Sequence, residues 1–224
     1  TGTADYAELV SEAVEFVIGQ KVLYADNINT IADVVYTGEE IRPVIEVMDG
    51  NTVLVLDTDY EVDYQNNINA GSAEAIVTFK GNYKGQAKRE FTILPKPINT
   101  EIPLTAPASN AAPQTKIETD EYTATVVWSP EVTDKFAYST AYTATITITP
   151  KENYAVTGVL ENNYTVGGAE TVTNEADSAT VTVTYAETGR RPSGGGTTRY
   201  TVKFETNGGN TIASKTATRN STIS

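Results

Sequence analysis

The clearest signal in the chain is strict alternation of apolar and polar positions. Tyr122, Ala124, Val126 and Trp128 share one parity, and Thr123, Thr125 and Val127 share the other. Tyr142, Ala144, Ile146 and Ile148 alternate with Thr143, Thr145, Thr147 and Thr149, and Val181, Val183 and Tyr185 with Thr180, Thr182 and Thr184. Successive side chains of a strand point to opposite faces, so these runs predict antiparallel strands with an apolar inner face and a threonine-coated outer one. Turn chemistry at Ser129-Pro130, Lys151-Glu152-Asn153, Glu161-Asn162-Asn163 and Gly167-Gly168 spaces them as a sandwich requires.

A second set of strands lies upstream. Val34-Val35-Tyr36 runs into the turn signal Thr37-Gly38-Glu39-Glu40, and Val44-Ile45-Glu46-Val47-Met48 alternates up to Asp49-Gly50, a hairpin signal, before Val53-Leu54-Val55-Leu56. Tyr60, Val62 and Tyr64 recur at period two with Glu61 and Asp63 facing the other way. Asn66-Asn67-Ile68-Asn69-Ala70-Gly71 is turn chemistry, because Asn and Gly tolerate positive φ. Ala73 to Phe79, the turn Gly81-Asn82-Tyr83 and Phe91-Thr92-Ile93 complete the unit.

The flanks read differently. Tyr6 through Phe16-Val17-Ile18 and Gly19-Gln20-Lys21 echo Tyr83 through Phe91-Thr92-Ile93 and Leu94-Pro95-Lys96, with unequal spacing between Tyr and Phe. Residues 1–22 are therefore expected to be the last strand or strands of a preceding copy. A short amphipathic helix over Tyr6–Phe16 is the alternative, since Ala, Glu and Leu favour helix. Pro95, Pro97, Pro103, Pro107 and Pro113 make 94–113 a semi-stiff connector whose later part is expected to pair as an edge strand. Gly189-Arg190-Arg191-Pro192-Ser193-Gly194-Gly195-Gly196 is a flexible basic linker. After it, Tyr200 to Phe204 is a strand that Asn207-Gly208-Gly209-Asn210 turns back, with another beginning at Thr211.

Composition narrows the function. The 224 residues carry a formal charge of −13, which disfavours nucleic acid and anionic membranes as partners. Cysteine and histidine are both absent. That removes disulfides, thiolate metal sites, thiol nucleophiles and the Ser-His-Asp triad. Lack of Cys in an exported chain points toward a bacterial exterior. No stretch is apolar for long enough to span a membrane as a helix. No signal-peptide pattern stands at Thr1 to Asp5 and no sorting motif follows Ser224, so the chain is read as the interior of a longer protein.

Three segments resemble known families. Tyr36-Thr37-Gly38-Glu39, Asp57-Thr58-Asp59-Tyr60-Glu61-Val62, Asn66 to Gly71, Gly81-Asn82-Tyr83-Lys84-Gly85 and Phe91-Thr92-Ile93 together resemble the tandem bacterial Ig-like repeats of Firmicute surface proteins. Residues 99–188, with Tyr122 to Pro130, Tyr142 to Ile148 and Tyr164 to Ala169, are similar to a second module of large bacterial surface proteins. Tyr200-Thr201-Val202-Lys203-Phe204-Glu205-Thr206-Asn207-Gly208-Gly209 looks like the opening of a Listeria–Bacteroides (internalin B-type) repeat, truncated here. The resemblance implies surface location and modular architecture and names no activity.

Each candidate site also has a plain structural role. Asp57, Asp59, Glu61 and Asp63 are the densest acidic cluster and offer oxygen ligands to Ca²⁺, yet alternate strand positions do not converge, and the EF-hand glycine and distal glutamate are missing. A solvated strand edge is the competing reading. Trp128 invites stacking on a sugar, but its parity puts it with Tyr122, Ala124 and Val126 in a core; Tyr138 and Tyr154, near turns, are better-exposed candidates. A carboxylate pair for hydrolysis and a Lys–Asn isopeptide bond each lack identifying residues. Gly194-Gly195-Gly196 lacks the Lys-Ser/Thr ending of a phosphate loop, and Asn163-Tyr164-Thr165 fits the N-glycosylation triplet.

The expectation is an all-β chain of tandem immunoglobulin-like antiparallel β-sandwich modules with a partial β repeat at its C-terminus. Residues 1–22 are a remnant of a preceding repeat, 23–96 the first module, 97–188 the second, 189–198 the linker and 199–224 the truncated repeat. It is expected to be a monomeric, extracellular, non-enzymatic stalk or adhesive segment at a bacterial cell surface or cell wall. No catalytic, cofactor-binding or metal residue is assigned; partners would be host or neighbouring-cell proteins or glycans. The alternative is an accessory carbohydrate- or protein-binding region of a secreted or surface-attached enzyme.

Overall fold

Alternation becomes strand wherever it is longest, and the chain is all-β. The structure is a computed structural model, and residues 15–192 and 199–218 are described. Contacts divide the chain into two units, Thr1–Ile98 with Pro150–Ala155, and Asn99–Thr149 with Val156–Ser224. Pro150–Ala155, assigned from sequence to the second module, thus groups with the first unit.

The first unit contains β1 (Lys21–Val22), β2 (Val34–Val35), β3 (Met48–Asp49), β4 (Thr52–Val53), β5 (Tyr60–Gln65), β6 (Gly71–Phe79), β7 (Tyr83–Lys84), β8 (Gln86–Leu94) and β9 (Lys96–Pro97). Its main sheet has the order β2-β8-β6-β5. β6 runs antiparallel to both neighbours, from Tyr60↔Phe79 to Gln65↔Glu74 on one side and from Gly71↔Ile93 to Thr78↔Gln86 on the other. β2 joins in parallel, Val34 opposite Ile93. The inner face of β6 (Ala73, Ala75, Val77, Phe79) is buried.

Opposite this sheet, Leu23, Ile28, Ile45, Val47 and Leu54 close a core with Tyr60, Ala75, Val77, Phe79 and Ala87. Each such large side chain, fully buried, contributes about 1.5–3 kcal/mol of transfer free energy. The covering layer is mostly irregular backbone with the β3–β4 hairpin. Its turn holds Gly50 at φ +61. The expected strand at 44–48 is only partly regular, although Val44 is 96% exposed while Ile45 and Val47 are buried. A smaller cluster of Ala73, Phe91 and Ile93 takes Val34, Tyr36 and Ile41 against it.

Most of the expected N-terminal remnant, 1–14, including most of the candidate helix Tyr6–Phe16, lies outside the described residues. Phe16, Val17 and Ile18 are exposed. Lys21 and Val22, assigned from sequence to the remnant, pair in parallel with Tyr83 and Lys84. β9 pairs likewise with Tyr154 and Ala155.

The second unit carries β10 (Glu101–Ile102), β11 (Lys116–Glu118), β12 (Tyr122–Ser129), β13 (Tyr142–Pro150, whose last residue groups with the first unit), β15 (Thr165–Val166), β16 (Thr171–Thr173) and β17 (Thr180–Tyr185); β14 is Tyr154–Ala155. Five strands form one sheet, β11-β12-β13-β17-β16, and β10 pairs in parallel with β15. Tyr122, Ala124, Val126, Trp128, Tyr142, Ala144, Ile146, Ile148, Val181, Val183 and Tyr185 are all buried, as their parity requires. The other face is a threonine ladder. Thr143 and Thr171 both oppose Thr184, Thr145 and Thr173 both oppose Thr182, and Thr147 opposes Thr180. Cross-strand contacts of this kind stabilise the exposed face modestly, and the Thr171 and Thr184 hydroxyls lie 2.6 Å apart.

Residues 193–198, most of the glycine linker, lie outside the described residues. β18 (Arg199–Val202) pairs antiparallel with β19 (Lys215–Thr218), Val202 opposite Lys215. The turn at Asn207-Gly208 forms (φ +44 and +96), but the returning strand begins at Lys215 instead of Thr211, so the connection is a long loop. Among the described residues no helix is long and apolar enough to cross a membrane.

Candidate functional site

A concavity of the first unit lies along β5, the end strand of its main sheet. A groove of about 530 Å³ is lined by Arg42 to Ile45 and Leu56-Asp57 on one side and by Tyr60 to Tyr64 on the other. Two tyrosines fasten its walls. The Tyr60 hydroxyl donates to the Ile45 carbonyl at 2.7 Å, and the Tyr64 hydroxyl donates to the Pro43 carbonyl. Both rings leave the inner face of β5, which is why period two at Tyr60, Val62 and Tyr64 builds the wall.

Charge is arranged around this groove. Arg42 lies 5.9 Å from the centre of the Tyr64 ring and donates to Glu40 at 2.8 Å. Burial raises the pKa of Tyr60, and Glu46, Asp57 and Asp59 push it further up. Burial also raises that of Tyr64, opposed by the Arg42 guanidinium.

The acidic cluster does not converge. Asp57 sits at φ +65 and its N–H donates to the Tyr60 carbonyl at 2.8 Å. An Asp59 carboxylate oxygen accepts the Val55 N–H at 2.9 Å, which is turn chemistry. Glu61 pairs with Lys80, the residue that follows β6. Asp63 is an exposed residue of β5. Among the described residues no three His, Cys, Asp or Glu side chains come together as a metal site.

Trp128 is buried and its indole N–H donates to the Gln114 carbonyl at 2.9 Å. Its ring meets Phe136 edge-on at 4.9 Å and lies 6.4 and 5.8 Å from Tyr142 and Tyr185. It is a core residue, unavailable to a sugar. Tyr138 is 38% exposed. Tyr154 is partly buried, edge-on to Tyr36 at 5.8 Å with the Lys96 ammonium 5.9 Å from its ring centre.

The buried asparagines are committed to backbone. Asn67 donates to the Ile41 carbonyl at 3.0 Å, and Asn174 to those of Leu160 and Glu175 at 2.9 and 2.7 Å. Neither amide is presented to a lysine by these bonds. Asn163 is exposed, and Gly194-Gly195-Gly196 lies outside the described residues.

The groove was not read from the sequence. Its one sequence signal was Glu61 and Asp63 on the outer face of a strand, a pattern that guards an unpaired edge. Compared with known proteins, the chain has no match among family models, curated proteins or solved structures.

Proposed function

We propose that this chain is an extracellular structural and adhesive segment of a bacterial surface protein, built from immunoglobulin-like modules that follow one another along the polypeptide. One observation carries the reading. The pairing of Lys21 and Val22 with Tyr83 and Lys84 is repeated, in the same register, by Lys96 and Pro97 with Tyr154 and Ala155. A device used twice in one chain is what duplicated modules leave behind. Spent polar groups support a mechanical role: the buried asparagines, the Trp128 indole and the Tyr60 hydroxyl all hold backbone carbonyls of their own unit. In this reading the segment is non-catalytic and displays a distal region outside the cell.

Pulling the chain between its ends in a force spectrometer tests this. Two separate force peaks are expected, each releasing roughly 3.5 Å of contour per residue unfolded. Smooth extension at low force, without discrete rupture, would remove the mechanical role.

A further inference from the structure

We infer that the free edge of β5 accepts an added strand, and that its partner is an extended peptide in which lysine or arginine alternates with aliphatic residues. This goes beyond the mechanical reading and does not depend on it. Two backbone bonds set the direction of the edge. Asp57 N–H donates to the Tyr60 carbonyl and Lys80 N–H to the Asp59 carbonyl, both at 2.8 Å. Backbone groups alternate sides along an antiparallel strand. Asp59, Glu61, Asp63 and Gln65 therefore address β6, while the N–H and C=O of Val62 and Tyr64 point away from it.

β5 ends its sheet, and among the described residues no hydrogen bond engages the backbone of Val62 or Tyr64. These groups open toward the groove lined by Arg42 to Ile45 and Leu56. An unpaired row of this kind is a template for another strand.

Side chains choose the partner. On the groove side Val44 is 96% and Leu56 50% exposed, and Val62 is half-buried, so alternate positions of the incoming strand meet apolar surface. Its other positions would stand beside Glu61 and Asp63, the outward residues of β5. Asp63 and nearby Asp57 have no ion pair among the described residues, whereas Arg42 is already held by Glu40. Charge complementarity therefore calls for cations. A second copy is disfavoured, because antiparallel β5–β5 pairing through Val62 and Tyr64 sets Asp63 against the same Asp63 of the other copy, with Glu61 opposite the neutral Gln65.

The probe is a fluorescein-labelled (Lys-Val)₄ peptide, with (Glu-Val)₄ as its control, titrated into the full chain. Saturable binding of the lysine peptide alone is expected, with amide exchange at Val62 and Tyr64 slowed at least tenfold. Val62→Pro removes one edge N–H at a position where an edge strand tolerates proline, and should weaken binding at least tenfold. Asp63→Arg, a surface change that keeps the edge, should weaken the lysine peptide and admit the glutamate peptide. Absence of binding would overturn the inference. So would binding that Val62→Pro leaves intact, which is adhesion to an acidic surface. Protection of the same amides by self-association, without peptide, would overturn it in favour of a second copy.

Discussion

Asn82 and Asn153 hold the same position in two copies of one structural device. The Asn82 carbonyl accepts the Lys21 N–H at 3.0 Å, and the Asn153 carbonyl accepts the Lys96 N–H at 2.9 Å. Two residues on, Leu23 N–H donates to Lys84 and Ile98 N–H to Ala155, and both donors are buried aliphatics. Each turn is closed by the same bond, Tyr83 N–H to Lys80 and Tyr154 N–H to Lys151, both at 3.1 Å. The left-handed residue differs: Gly81 at φ +65 in one turn, Asn153 at φ +69 in the other.

The first prediction comes from that turn. A Cβ on Gly81 would stand 3.1 Å from the Thr58 carbonyl oxygen, on backbone already at positive φ. Gly81→Ala should therefore cost about 1–2 kcal/mol, combining the left-handed penalty with a contact to rigid backbone. Denaturant unfolding measures it; unchanged stability would mean the turn relaxes freely.

Among the described residues, the hydroxyls of Tyr122 and Tyr185 are buried without a hydrogen-bond partner, whereas that of Tyr60 holds Ile45 at 2.7 Å. An unmade bond costs about 1–3 kcal/mol and a made one contributes about 1 kcal/mol. Tyr122→Phe and Tyr185→Phe should leave stability unchanged or raise it, while Tyr60→Phe lowers it by about 1 kcal/mol. The opposite ranking in chemical denaturation would refute the assignment.

Alkaline pH should unfold the chain. Burial pushes the pKa of Tyr122 up to about 12, helped by Tyr164 and Glu121, and that of Tyr185 to about 12. Tyr60, Tyr64 and Tyr164 are raised as well. Between pH 10 and 12 the unfolded chain has lost protons that the folded chain keeps, so stability falls with rising pH. Below pH 10 these groups are neutral in both states and contribute no slope. Circular dichroism across pH 9 to 12 should show the loss, and Tyr122→Phe with Tyr185→Phe should make it shallower.

Trp128 is the one tryptophan and lies 5% exposed among Phe136, Tyr142 and Tyr185. Its emission should be blue-shifted and poorly quenched by iodide, and Trp128→Ala should cost about 3–5 kcal/mol. Titration with oligosaccharides should leave the emission unmoved; a saturable shift would return Trp128 to the surface.

Much of the fold is local information and could be read along the chain. Threonine against Ala, Ile, Val and aromatics at period two placed β12, β13 and β17 and chose their buried faces, because side-chain direction in a strand depends only on parity. Asp49-Gly50 located a hairpin for the same reason: a positive φ is a property of one residue. Even where 44–47 failed to become a regular strand, parity still sorted Ile45 and Val47 inward and Val44 outward. Tertiary structure alone decided the parallel pairings of Val34 with Ile93 and of Lys21 with Tyr83, which join distant segments with no local mark. It alone dispersed Asp57, Asp59 and Glu61 into a turn, a backbone cap and an ion pair, since convergence of carboxylates requires a shared point that sequence spacing does not define. And it alone left the outward backbone groups of Val62 and Tyr64 without a partner among the described residues, because whether a strand is central or at an edge is a fact about its neighbours, not about its residues.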